Sequence, residues 1–332
     1  MAGIQIDMEV AVLPHYELGT AEASEALIKD LYIDLRAKVN AWSEITKQTP
    51  QARMGYIGQH LVSVVTGFPG GKSGARGYDL VMDNGHYGEI KTCYKVDQLG
   101  SCQKCGAAVS SLEKTCSACG SSEINRKDDS KWLISIRNPD EFAKVLDPLY
   151  YYFVLFEFED LLDPHNQNVV ASIWEVDPRQ KGFAYCMFDY YLNIRSKSSS
   201  KAPFNMWPHS FKFALTNPKL IYRSRITAEG AVETLVFPTW DNVHVDELAP
   251  LTEYSSSRTA TLDAVRAVYA GISGVARVPS ASKSKLLSLL EDARKNQGIP
   301  NSELCDCFAE AIYRPLLTPK KTEIPEKYLG SL

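Results

Sequence analysis

The 332-residue sequence has no run approaching the ~18 apolar residues of a membrane-spanning helix, which argues against a helical span. Its first residues, MAGIQIDMEVAVLPHYELG, lack a basic stretch followed by an apolar one, so no leader is expected and the protein is read as cytoplasmic. Positive charge is not in excess either. Lys and Arg number 36 against 40 Asp and Glu, a net charge of -4, with a pI of about 5.9. That balance gives no global attraction to nucleic acid, so any contact with a polyanion must rest on local basic patches. The phosphate-cradling pattern GxxxxGK[ST] is missing from the one stretch where it would be sought, GFPGGKSGARG at residues 67–77. This stretch reads first as a connector, although its Lys72 and Arg76 would suit closure over a polyanion. What remains is ordinary globular composition, 45% hydrophobic and 23% charged, enough for one large or two modest domains.

Cysteine is present at eight positions, and four of them form a pattern. Cys102-Gln103-Lys104-Cys105 and Cys116-Ser117-Ala118-Cys119 are CxxC pairs ten residues apart, each followed by glycine. Four thiolates at that spacing suit a closed tetrahedral zinc site with no open position, resembling a zinc ribbon. The intervening GAAVSSLEKT has too little apolar mass to fold unaided, so metal is expected to supply its stability. Disulfides would be the reading in an oxidising compartment and a redox motif the reading of a single pair. Cys93, Cys186, Cys305 and Cys307 follow no ligand spacing and read as small apolar residues.

The stretch 74–91, GARGYDLVMDNGHYGEIK, carries the chemistry. Tyr78 to Met82 and Tyr87 to Tyr94 have strand composition, with a turn signal at Asp83-Asn84-Gly85. Alternation puts Glu89 and Lys91 on one face of the second strand and Ile90 on the other. A two-residue turn would set Asp79 opposite Ile90. A three-residue loop with Gly85 left-handed sets it opposite Glu89, where two carboxylates and an ammonium converge. Taken alone, an acid-x-Lys also fits an exposed strand with both charges in water. The preceding segment adds context: Thr49 reads as an N-cap with Pro50 in the first turn, then Met54, Ile57, Leu61 and Val64 at helical spacing up to Gly67. Gly55 and Gly58 each cost such a helix about 1 kcal/mol relative to alanine, so close packing against a sheet is the expected reason for them.

Asp79, nine intervening residues, then Glu89-Ile90-Lys91, preceded by a Gly-x-x-Gly helix, resembles the signature of PD-(D/E)XK nucleases, most of all type II restriction endonucleases. Tyr78 stands at the position of the proline, and Gln59 stands where many such enzymes carry a further glutamate; Glu44 is the nearest upstream acid. The resemblance implies a Mg2+-dependent endonuclease that cuts double-stranded DNA and leaves 5'-phosphates. Asp79, Glu89 and the Ile90 carbonyl would hold the ion, Lys91 would assist the attacking water, and Gln59 would orient it. It further implies a homodimer with one site per strand, a companion DNA methyltransferase and a prokaryotic host. Two other readings stay open: a repair or junction-resolving nuclease on the same core, and a non-catalytic zinc-ribbon DNA-binding protein.

The expected fold is mixed α/β (α+β), a central mixed sheet flanked by helices in a restriction-endonuclease-like core. Residues 1–48 form an N-terminal region, with a strand-like piece at Gln5 to Leu13 and a helix from about Thr20 to Ile45. Ile28, Leu31, Leu35, Val39 and Trp42 form its apolar stripe. Residues 49–250 form the core, with the ribbon inserted at 100–125. Strands are expected at Trp132 to Ile136, Leu149 to Phe158 and Val169 to Val176, with a helix at Pro139 to Leu146. Within 190–225, Lys197, Lys201, His209, Lys212, Arg223 and Arg225 interleave with aromatics such as Phe204 and Trp207, as DNA contacts would. The alternative there is a solvated loop followed by an edge strand at Phe211 to Leu215. Residues 251–332 read as a helical module, for dimerisation or packing in preference to a helix-turn-helix reader, followed by an extended tail from Pro319.

Overall fold

The computed structural model describes residues 15–48, 55–71, 78–96, 98–109, 115–127, 130–163, 165–200, 202–240, 248–254 and 257–331. The expectations for Gln5 to Leu13, Thr49, Pro50, Met54, Lys72, Arg76 and Lys201 lie outside them. Helix α1 (Ala21–Leu27) is capped by the Thr20 hydroxyl, which accepts from the Ala23 N–H, and passes through a π-helical stretch, Ile28–Asp34, into α2 (Leu35–Thr46). Ile28 and Tyr32 are buried, and Tyr32 stacks on Phe156 with ring centroids 4.9 Å apart. Beyond the π turns the expected stripe fails: Trp42 is 65% exposed, and Leu35 and Ile45 also face solvent. The wider turns shift later side chains relative to a 3.6-residue period, so the sequence stripe no longer tracks one face.

Helix α3 (Gly55–Thr66) buries Ile57, Leu61, Val62 and Val65 and ends at Gly67 in the left-handed region, φ 79°. Strands β1 (Leu80–Val81) and β2 (Tyr87–Tyr94) follow; β1 is shorter than the expected Tyr78 to Met82. Then come β3 (Gly100–Cys102), β4 (Ala108–Val109), β5 (Ile124–Asn125) and β6 (Trp132–Ile134). Helix α4 (Pro139–Leu146), capped by Asn138, leads to β7 (Tyr150–Phe158) and β8 (Val169–Val176). Helix α5 (Lys181–Asp189), β9 (Phe204–Met206) and α6 (Phe211–Leu215) come next. Helix α6 replaces the edge strand considered for Phe211 to Leu215. Ser210 caps it by accepting from the Phe213 N–H, an i to i+3 bond that favours a helical start over an extended one. Strands β10 (Lys219–Ile226) and β11 (Val232–Val236) precede helices α7 (Leu262–Ser273), α8 (Lys283–Gln297) and α9 (Asn301–Leu317).

Among the described residues six strands form the main sheet, in the order β1-β2-β7-β8-β10-β11. Only β2 and β7 are parallel, from Gly88 beside Tyr150 to Tyr94 beside Phe156. Parallel neighbours need a long crossover, and the small sheet β4-β3-β5, β6 and α4 all lie within it. Strand β6, within the expected Trp132 to Ile136, pairs with β9 as a separate two-stranded ribbon.

Strand β7 shows how the core divides. Tyr152, Val154 and Phe156 point toward α3 and the π turn, together with Ile90 and Tyr94. Tyr151, Phe153 and Leu155 point the other way, into a larger cluster that takes in Trp132, α5, α6 and the helices of residues 262–317. Those helices therefore pack on the sheet's own core, with Phe308, Tyr313 and Leu317 beside Phe183 and Phe188. The tail is not extended: it forms 3-10 turns at Thr318–Glu323 and Glu326–Ser331. Tyr328 is buried, its hydroxyl donating to the Ala143 carbonyl at 2.9 Å, because Ile324 and Tyr328 supply apolar surface that a solvated tail would leave in water.

Candidate active site

The hairpin loop sets the site. Leu80 pairs with Gly88 and Val81 with Tyr87, so the register carried one step back puts Asp79 opposite Glu89. The Met82 N–H bonds the His86 carbonyl at 2.9 Å, leaving Asp83-Asn84-Gly85 as a three-residue loop. Asn84 at φ 59° and Gly85 at φ 77° are both left-handed, a conformation open to Asn and Gly that strand-forming residues avoid.

Asp79 is held at both oxygens. The Gln59 side-chain amide donates to Oδ1 and the Ile90 N–H to Oδ2, each at 2.8 Å. Each carboxylate oxygen has a second lone pair, so both can still accept from a cation. Gln59 reaches across from α3, which lies close because Gly58 carries no side chain. A Cβ there would come within 2.1 Å of Thr92 Oγ1 on β2. At Gly55, the first described residue of the helix, a Cβ would meet nothing within 4 Å, so only Gly58 is explained by close packing.

Glu89 and Lys91 share a face of β2 and form an ion pair between Oε1 and Nζ, with side chains 27% and 25% exposed. Burial pushes the Glu89 carboxyl above its ordinary range; Lys91 opposes that and the nearby Asp79 charge adds to it. Two carboxylates beside one ammonium, one of them desolvated, form a hard oxygen donor set whose repulsion a divalent cation would relieve. Tyr87, on the same face, is pushed up to about 12 by burial, then by Asp147, Tyr78 and Glu89, so its phenol stays protonated. Glu44, the upstream acid, is exposed on α2.

An open cleft of about 550 Å3 adjoins the pair, bounded by Tyr56 and Gln59 of α3, Ile90 and Lys91 of β2, and Lys131 and Leu133. Ile90 lines it although the residue as a whole is only 5% exposed. Lys131 and Tyr56 were not among the residues singled out in the sequence. The available signal was alternation, since Trp132 and Ile134 are buried and so place Lys131 and Leu133 on the opposite side of β6.

Of the basic residues expected to meet DNA, three lie near the acids at the end of β7. Arg225 pairs with Glu159 at 2.8 Å and His209 with Glu157 at 3.0 Å. Lys212 lies over the Phe204 ring at 5.7 Å, Arg223 is half-buried with its pKa lowered by burial, and Lys197 is exposed.

The second cluster is the thiol set. The Sγ atoms of Cys102, Cys105, Cys116 and Cys119 all lie within 4.8 Å of one another. Two of the pairs, Cys102 with Cys119 and Cys105 with Cys116, are 3.6 Å apart. Zn–S bonds of about 2.3 Å in a tetrahedron put the sulfurs about 3.8 Å apart, so the geometry fits zinc. Each CxxC is a tight turn closed by Gly106 and Gly120, both left-handed, whose N–H groups bond back to the Cys102 and Cys116 carbonyls. The Cys105 N–H is the main cause that draws the Cys102 thiol down, while the neighbouring Cys119 and Cys116 thiols help push Cys105 up, so without a metal the four do not all ionise together. Of the other cysteines, Cys93, Cys186 and Cys305 are buried.

Comparison with known proteins returned no curated relative and no solved structure. A model of one protein family, described as the MamI restriction endonuclease, matches residues 41–250, which include α3, the hairpin, the thiol cluster and the cleft. With well over half of its length matched, the chain belongs to the MamI restriction endonuclease family.

Proposed function

We propose that the protein is a type II restriction enzyme of the PD-(D/E)XK kind, a Mg2+-dependent hydrolase of phosphodiester bonds in double-stranded DNA that leaves 5'-phosphates. The observation that carries this reading is the convergence of Asp79, Glu89 and Lys91 beside an open cleft. Asp79, Glu89 and the Ile90 carbonyl would hold Mg2+, which when bound lowers the pKa of water and offsets charge on the phosphate. Gln59 fixes the Asp79 carboxylate in one orientation. Lys91, held next to Glu89, is placed to orient the attacking water and to balance charge that builds on the phosphoryl oxygens. The four cysteines would bind structural zinc, with no ligand position left for chemistry. Duplex sites are commonly two-fold, so a homodimer with one site per strand, protected by a companion methyltransferase, completes the reading. Family membership favours a restriction enzyme over a repair nuclease or a non-catalytic zinc protein.

Incubation of the purified protein with plasmid and Mg2+, followed by sequencing of the fragment ends, should give cuts at one short sequence with 5'-phosphates. Glu89→Ala and Lys91→Ala should keep DNA binding and lose cutting by about a thousandfold or more, equivalent to about 4 kcal/mol of barrier. Undiminished cutting by Glu89→Ala would end the proposal.

A further inference from the structure

The cleft has a second lysine, placed by packing that does not involve the acidic site. Strand β6 is pinned on either side of Lys131. The Cys93 thiol donates to the Ser130 hydroxyl at 3.2 Å, and the Trp132 indole N–H donates to the Val154 carbonyl at 2.8 Å. Trp132 and Ile134 are fully buried, so alternation turns Lys131 and Leu133 outward, where both line the cleft. Trp132 pairs with Met206 of β9, and the register carried one step on sets Lys131 opposite Trp207. There the Lys131 ammonium lies over the indole ring, 4.8 Å from its centroid, and Trp207 itself is 41% exposed. A cation resting on an aromatic face keeps its charge, has its long side chain held in one place and still offers its outward N–H groups. Lys91, by contrast, already spends a donor on Glu89.

We propose that Lys131, steadied by Trp207, is a substrate-binding residue that grips a DNA phosphate next to the scissile one, on the cleft wall facing Lys91. This rests on the nuclease reading and deepens it. Lys91 on β2 precedes the thiol cluster in the chain and Lys131 follows it, inside the crossover, so one side of the cleft serves bond breaking and the other holds the strand. Contact with a phosphate and none with a base makes Lys131 a contributor to affinity for any sequence and not to the choice of site.

The test uses full-length protein and a duplex carrying the cut sequence mapped with plasmid. Binding is measured over a range of salt concentrations in the Glu89→Ala background, with and without Lys131→Ala, and cleavage kinetics are measured in the otherwise native chain. Lys131→Ala should flatten the slope of log Kobs against log salt by about 0.9, the loss of one phosphate contact. It should raise KM about tenfold with kcat changed much less, and should leave the mapped sequence the same. Lys131→Arg, which keeps the charge and stacks on indole, should recover most of the slope; Trp207→Leu should give an intermediate loss. Lys131 is partly exposed, so the melting temperature should not move. An unchanged slope in a protein that cuts normally would overturn the proposal while leaving the nuclease reading intact. Absence of any cutting by the native protein would instead remove that reading and this one with it.

Discussion

The thiol cluster and the acidic hairpin sit at opposite extremes of how a site can be built. The cluster is local: two tight turns fix two sulfurs each, and among the described residues its buried core is Cys102, Val109, Cys116 and Ile124. The hairpin is global: Asp79, Glu89 and Lys91 are aimed by a sheet with apolar clusters on both faces and by a helix that must come close enough for Gln59 to reach. Burying Val109 and Ile124 contributes about 1.5–3 kcal/mol each. Ordering each residue's backbone costs about 1–2 kcal/mol, so the thiol segment is expected to need a metal to persist, whereas the hairpin is not.

The largest effect should follow from taking that metal away. Structural zinc contributes about 10–16 kcal/mol to the folding of small thiol-ligated domains, so strong chelation, or Cys116→Ser, should unfold residues 100–125. Amide exchange there should rise by orders of magnitude while β7 and β8 stay protected. Elemental analysis should give one zinc per chain, and finding none, or equal loss of protection in β7, would break the contrast between the two sites.

A smaller effect tests the hairpin's dependence on distant packing. On helix propensity alone Gly58→Ala would stabilise α3 by about 1 kcal/mol. Because the added carbon would fall 2.1 Å from Thr92 Oγ1 and 3.0 Å from Thr92 Cβ, it should instead destabilise by about 1–3 kcal/mol. Cutting should fall further than stability does, because the helix moves off the sheet and takes Gln59 with it. Thermal melts should show recovery in the Gly58→Ala, Thr92→Ala double variant; a stabilised single variant would mean that α3 is not held where Gln59 needs it.

The smallest effect concerns charge beyond the site. Burial pushes Glu157 up, but His209 and Lys95 more than offset that and hold its carboxyl below the ordinary range. A depressed acid contributes stability above its unfolded pKa and loses it as pH falls through the folded value. Glu157→Gln should therefore cost about 1 kcal/mol near neutrality, with the difference from the native protein shrinking as pH falls through the carboxylate range. Urea titrations at several pH values measure this, and a constant difference would show that His209 and Lys95 are not the partners that matter.

The same contrast governs what could be read from sequence. The thiol cluster was legible because each pair's geometry is written within four residues. Glu89 and Lys91 were legible as face-sharing neighbours because strand alternation needs nothing else, and β7, β8 and α4 because their apolar pattern is unbroken. Asp79 needed a loop length, which Asn84-Gly85 supplied. Lys131 was not legible because its surroundings come from Cys93, Val154 and Trp207, which adjoin it only after β6 has left the main sheet to pair with β9. Trp42 was misplaced because π turns leave no mark on a periodicity. In the basic stretch at 190–225 composition shows the charges but not their partners: Arg225 and His209 pair with acids on β7 and just beyond it, contributed by a different part of the chain.

The hairpin loop also constrains how the gene can change. Loss of the Asp83 codon would leave Asn84-Gly85, a sound two-residue reversal, and so a chain expected to fold. Yet one acid would be carried to the far side of the sheet, away from its companion. If the protein cuts duplex DNA as proposed, such a deletion would be a one-step route to a harmless protein, and reinsertion of one residue would be the route back.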